Sequence, residues 1–168
     1  MSGPPLVVPT LAGAMMELLG CLCDELESTL GGPVCWCGLW HGDPVPWDYC
    51  DGCEGGKCGM AYARVVGAFP YDSFPTPAID QYCRKPLGYA IEVGVLRCFP
   101  IMDEDGSLPT PGVISDAVLI DYDDIEAMRR ALLCCASGGV EIWLGEYVAV
   151  NEGGCAGGTW TAAINLEP

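Results

Sequence analysis

Hydrophobic positions near the start of the chain recur with a helical period. Leu11, Met15, Leu18, Leu22 and Leu26 are spaced so that all five fall on one face of a helix. Thr10 stands where an N-cap is needed, and Gly31-Gly32-Pro33 supplies the stop, because glycine can take positive φ and proline cannot continue the helix. Residues 1–9, which carry Pro4, Pro5 and Pro9, read as a proline-rich N-terminal arm. The period then changes to two. Val34 to Trp40 alternates Cys35, Cys37 and Leu39 with Val34, Trp36 and Gly38, which predicts a short strand with both cysteines on one side. Met60 to Phe69 and Tyr89 to Phe99 are rich in β-branched and aromatic residues between turn formers, and predict two further strands. Ser115 and Asp116 open a second helix that runs to about Cys135. Ala117, Ile120, Ile125, Met128, Leu132 and Cys135 lie within its broad apolar face, whereas Asp121, Asp123, Asp124, Glu126, Arg129 and Arg130 fall mostly on the other. The three aspartates are therefore expected on a solvated face. After Gly138-Gly139, strand patterns return at Glu141 to Val150 and Thr159 to Leu166, with Trp160, Ala162, Ile164 and Leu166 on one side.

The predicted order is helix, strand, strand, strand, helix, strand, strand. Strands grouped in runs without a helix between most neighbours indicate an α+β fold: a mainly antiparallel β-sheet with two helices packed on it. At 168 residues the chain fits a single domain, 1–168. Two long interruptions punctuate it. Residues 41–59 are dense in Cys, Gly, Pro and Asp and read as a Cys-rich loop that needs crosslinks or a partner to hold one shape; residues 70–86 form a Pro-rich excursion.

Hydrophobic residues make up 51% of the chain and charged residues 18%, so it has the material for a core and is no disordered acidic tail. Lys and Arg number 7 against 23 Asp and Glu, a net charge of −16, which excludes a basic nucleic-acid groove as the main use of the surface. No stretch approaches the roughly 18–20 consecutive apolar residues that cross a bilayer, and a soluble protein is expected. Leu18-Leu19-Gly20-Cys21 looks like a lipidation box, but residues 1–20 contain no Lys or Arg and Glu17 interrupts the apolar run.

Twelve cysteines leave three alternatives open: disulfides, a bound metal, or thiols used as small apolar packers. Cys50, Cys53 and Cys58 with Cys35 and Cys37 supply enough sulfur for a tetrahedral zinc site, although only one pair has knuckle spacing. Cys21 and Cys23 point to different sides of a helix, as do Cys134 and Cys135, and neither pair can chelate one ion. Cys98 ends a strand; Cys83 and Cys155 lie in loops where a bridge would reduce entropy. Gly52 to Cys58 fails as a phosphate loop, because Asp51 stands where the first glycine belongs and Cys58 where a Mg²⁺-binding hydroxyl belongs. His41, the single histidine, has no spacing to a thiol that suggests a nucleophilic pair. Asp43, Asp48, Asp51 and Glu54 lack the spacing of a calcium loop and read as solvated acids. No residue is assigned a catalytic, cofactor-binding or metal-binding role, and no cofactor is expected.

Five stretches taken together carry a resemblance: Cys35–Gly38 (CWCG), Lys57–Val66 (KCGMAYARVV), Glu92–Cys98 (EVGVLRC), Met128–Cys135 (MRRALLCC) and Gly153–Thr161 (GGCAGGTWT). Over about residues 10–166 the chain resembles cysteine-rich neck proteins of long-tailed bacteriophages of actinobacteria, of the head-to-tail connector or tail-terminator type. The resemblance implies a virion structural protein without enzymatic activity, assembled in the host cytoplasm as a ring, commonly sixfold. Its implied partners are further copies of itself, the tail tube protein and the head-closure or connector protein, with DNA passing through the channel without specific binding and no membrane involved. A head-closure or stopper protein of the same neck, and a free-standing cysteine-rich zinc module, are the alternatives. Segments 41–59 and 70–86 are the candidates for subunit contact, because loops can reach a neighbour.

Overall fold

The computed structural model describes residues 10–45, 59–78, 86–134, 140–152 and 154–166. Its elements run α1 (Leu11–Glu27), β1 (Trp36–Leu39), β2 (Gly59–Ser73), β3 (Thr76–Pro77), β4 (Leu87–Cys98), α2 (Pro111–Cys134), β5 (Glu141–Glu152) and β6 (Cys155–Asn165). The sheet order is β1-β2-β4-β6-β5, with the two-residue β3 pairing back onto β2. All ladders are antiparallel except β1 with β2, which run parallel from Trp36↔Met60 to Leu39↔Ala63. The chain has the expected α+β architecture.

Thr10 caps α1 as its sequence requires: the Gly13 amide donates to Thr10 Oγ1 at 3.1 Å. Met15, Leu18, Leu19, Leu22 and Leu26 are buried along the inner face of the helix. They meet Ala61 and Ala63 of β2, Ile91, Val93 and Val95 of β4, and Ala162 and Ile164 of β6. Each fully buried leucine contributes about 2 kcal/mol by leaving water. Leu18, Leu19 and Cys21 are thus part of the helix and its packing, and Cys21 is disulfide-bonded, so the lipidation-like tetrapeptide serves the core.

The second helix starts a turn before Ser115. Thr110 accepts at Oγ1 from the Val113 amide and at its carbonyl from the Ile114 amide, and Pro111 occupies the first helical position, where no N–H is required. The Pro-rich segment also differs from expectation. β2 continues through Phe69 to Ser73 and β3 folds back on it, with Tyr71 opposite Pro77, so residues 70–78 begin as a hairpin; residues 79–85 lie outside the described set.

Candidate functional site

Residues that alternate away from the helices build a second, smaller core on the opposite face of the sheet. Met60, Tyr62, Leu96 and Cys155 are buried there under Val45, with Trp36, Trp40, Cys98 and Val150 packed around them. Trp36 and Trp40 meet edge to face with ring centroids 6.4 Å apart. The described start of the Cys-rich loop, residues 41–45, supplies part of this cover. His41 is exposed on it.

An arginine anchors that cover. Arg64 of β2 donates from Nε to Glu92 Oε1 (2.9 Å), from Nη2 to Glu92 Oε2 (3.2 Å) and from Nη1 to the Gly42 carbonyl (2.6 Å), and it pairs with Asp43. Tyr62 Oη donates to the same Glu92 Oε1 at 2.7 Å. Gly94, on the strand beside Tyr62, leaves room for the ring to lie where a Cβ would collide with it. Burial pushes the Tyr62 phenol well above its ordinary range, and its bond to Glu92 and the Glu92 charge push it further. Burial works against the Arg64 charge, but its bonds to Glu92 and Asp43 outweigh that and hold the guanidinium more firmly protonated. Asp43 is therefore ion-paired although its side chain is 82% exposed, while Asp48, Asp51 and Glu54 lie outside the described residues.

On the helix side, Arg97 of β4 occupies the corresponding position. It donates to Asp124 Oδ2 (2.5 Å) and Oδ1 (2.9 Å), to the carbonyls of Gly31 (3.1 Å) and Gly32 (2.8 Å), and to Thr29 Oγ1 (3.3 Å). One guanidinium thus joins the end of α1, the sheet and α2. The expectation that Asp121, Asp123 and Asp124 form a solvated helix face is overturned. Asp124 is 2% exposed, Asp123 accepts from the Leu30 amide at 2.7 Å, and Asp121 is half-buried. The helix turns Ala127, Met128, Ala131 and Leu132 into the apolar core, and Asp124 on the same inward side supplies the counter-charge to Arg97. Burial, reinforced by the nearby Asp124 charge, raises the Asp121 carboxyl above the usual range. A cleft of ≈ 130 Å³ opens beside this node, lined by Leu30, Arg97, Phe99, Ile120 and Asp121 among others.

The remaining described arginines also pair within the chain: Arg130 with Glu25 of α1 at 2.7 Å, and Arg129 with Glu126 at 2.9 Å. Every described arginine is thus in an intramolecular ion pair. Among the described residues no group of three or more His, Cys, Asp or Glu side chains is placed to hold a metal ion.

Cys23 and Cys37 form a disulfide with a Cα–Cα separation of 6.2 Å, tying α1 to the edge strand β1. A loop of this size stabilises by about 3 kcal/mol through lost unfolded-chain entropy. Cys37 is therefore removed from the zinc set, and Cys35 keeps its thiol, which donates to the Gly59 carbonyl at 2.9 Å. Cys50, Cys53, Cys58, Cys83, Cys135 and the rejected phosphate-loop segment lie outside the described residues. Cys21 and Cys98 are disulfide-bonded, whereas Cys134 and Cys155 carry thiols; Cys155 opens β6 instead of lying in a loop.

Among the described residues, two groups of exposed apolar side chains stand on different elements. The first turns of α2 lie outside the core and expose Val113, Ile114, Leu119 and Tyr122, with Ile101, Met102 and Leu108 exposed in the preceding segment. On the other face of the sheet, Trp143 (60% exposed) and Val148 stand out from β5. Ile142, Leu144 and Tyr147 of that strand pack against the helix-side core, so these two point away from it. No protein-family model and no curated protein matches the chain. No described helix is long and apolar enough to cross a membrane.

Proposed function

We propose that the chain is a ring-forming structural subunit at the head-to-tail neck of a long-tailed bacteriophage virion, of the tail-terminator type, without enzymatic activity. The observation that supports this reading is the pair of apolar surfaces exposed among the described residues, on different elements and opposite faces of the sheet. Contact between unlike surfaces of identical copies is heterologous and closes into a ring when the rotation permits. Exposed apolar area of this kind marks an interaction surface.

The charge supports the channel part of the reading. With Arg64, Arg97, Arg129 and Arg130 all paired internally, the acidic excess of a chain with net charge −16 is left to face outward. An acidic lumen repels a phosphate backbone at short range and lets a genome pass without adhering. Partners in this reading are copies of the chain itself, the tail tube protein and the head connector.

The test is the mass of the purified chain in solution together with its place in intact particles. A closed oligomer by light scattering, disrupted by Leu119→Asp and by Trp143→Asp, and a ring at the neck in an electron-microscopy map are the expected results. A monomer absent from mature particles would overturn the proposal.

A further inference from the structure

Cys98 closes β4 and Cys155 opens β6, and in the antiparallel ladder the two residues are direct partners. Both side chains belong to the small core on the face away from the helices. Their redox states differ: Cys98 is disulfide-bonded and Cys155 is a thiol, only 6% exposed. Direct partners across an antiparallel pair have Cα atoms about 4.5–5.5 Å apart. That lies inside the roughly 4.4–6.8 Å window that a disulfide spans without backbone movement.

We propose that Cys98 and Cys155 form an internal thiol–disulfide exchange switch. The Cys155 thiol gives up its proton to solvent, and its sulfur attacks Cys98 Sγ. A Cys98–Cys155 bond forms as the bond between Cys98 and its present partner breaks. The displaced partner leaves as a thiolate and takes up a proton. One disulfide is exchanged for another, so no oxidant or reductant enters the balance and the number of thiols stays constant. Burial gives the reaction its selectivity: Cys155 lies in one buried cluster with Val45, Met60, Tyr62 and Leu96, which limits the access of dissolved reagents, while its ladder partner Cys98 is part of a disulfide. Exchange moves the covalent tie at the end of β4 from its present partner onto β6.

The test uses the full native chain, held anaerobically at pH ~8.5 without redox reagents to favour thiolate attack, then denatured, alkylated and mapped by mass spectrometry. A Cys98–Cys155 crosslinked peptide is expected to accumulate. Loss of alkylation at Cys155 should be matched mole for mole by a gain at one other cysteine, and Cys155→Ala should abolish both changes. The proposal is overturned if Cys155 remains the alkylated residue throughout, if the link forms only with a fall in total thiols, or if Cys155→Ala releases the same new thiol as the native chain.

Discussion

Arg64 and Arg97 stand on adjacent strands and serve opposite faces of one sheet, and they differ in how many carboxylates answer them. Arg97 has one, Asp124, whose side chain is 3% exposed, together with neutral oxygens at the end of α1. Arg64 has two, the enclosed Glu92 and the exposed Asp43. A buried cation with a single counter-charge is stable only while that partner is present, whereas one shared between two acids keeps compensation when either is lost. The helix-side node is thus a structural keystone, and the opposite node is a clamp that fastens residues 42–43 to the sheet.

The sharpest way to break this comparison is Asp124→Asn, which strands the Arg97 charge. A loss of about 3–5 kcal/mol in denaturant unfolding is expected, with much of it regained in the double variant Arg97→Met, Asp124→Leu, where no charge remains to be compensated. Equal stability of the single and double variants would contradict the keystone role. The clamp should respond less, and unequally. Glu92→Gln is expected to cost about 1–3 kcal/mol, because Arg64 and Tyr62 both lose their charged acceptor, while Asp43→Asn should cost under about 1 kcal/mol and lose even that in high salt.

The smallest effect has the opposite sign. The raised Asp121 carboxyl binds a proton more tightly in the folded chain than in the unfolded one. Its ionisation therefore subtracts stability as pH rises through the folded value, and the penalty is absent below the ordinary carboxyl range. Asp121→Asn is expected to stabilise by about 0.5 kcal/mol at neutral pH, and the gain should vanish in thermal melts below about pH 4.

The elements were legible because the period of hydrophobicity and the caps speak locally. Thr10 with the 11-15-18-22-26 stripe gave α1, and the alternation in β6 placed Ala162, Ile164 and Leu166 inward. Position 124 was illegible because an acid on a helix reads as solvated until its partner is known, and Arg97 lies on a different element. A signal was present all the same: Arg64 and Arg97 are the single cations of two strand patterns that are apolar apart from Glu92, and a sheet buried on both faces tolerates such charges only with a counter-charge. The parallel pairing of β1 and the Cys23–Cys37 bridge depend on contacts across separate elements, which spacing along the chain does not encode. The ring reading rests on surfaces outside the core, where periodicity carries no information.

The two borders of the sheet are unequal in reach. β1 joins over only four residues, 36–39, whereas β5 runs for twelve. Among the described residues, a backbone ladder extended from β5 finds a match of its own length in the β5 of another copy. Such a union has twofold symmetry and uses up both long borders at once. Strand-on-strand growth through this long border therefore ends at a pair, and a larger closed assembly draws on contacts other than a β5–β5 ladder.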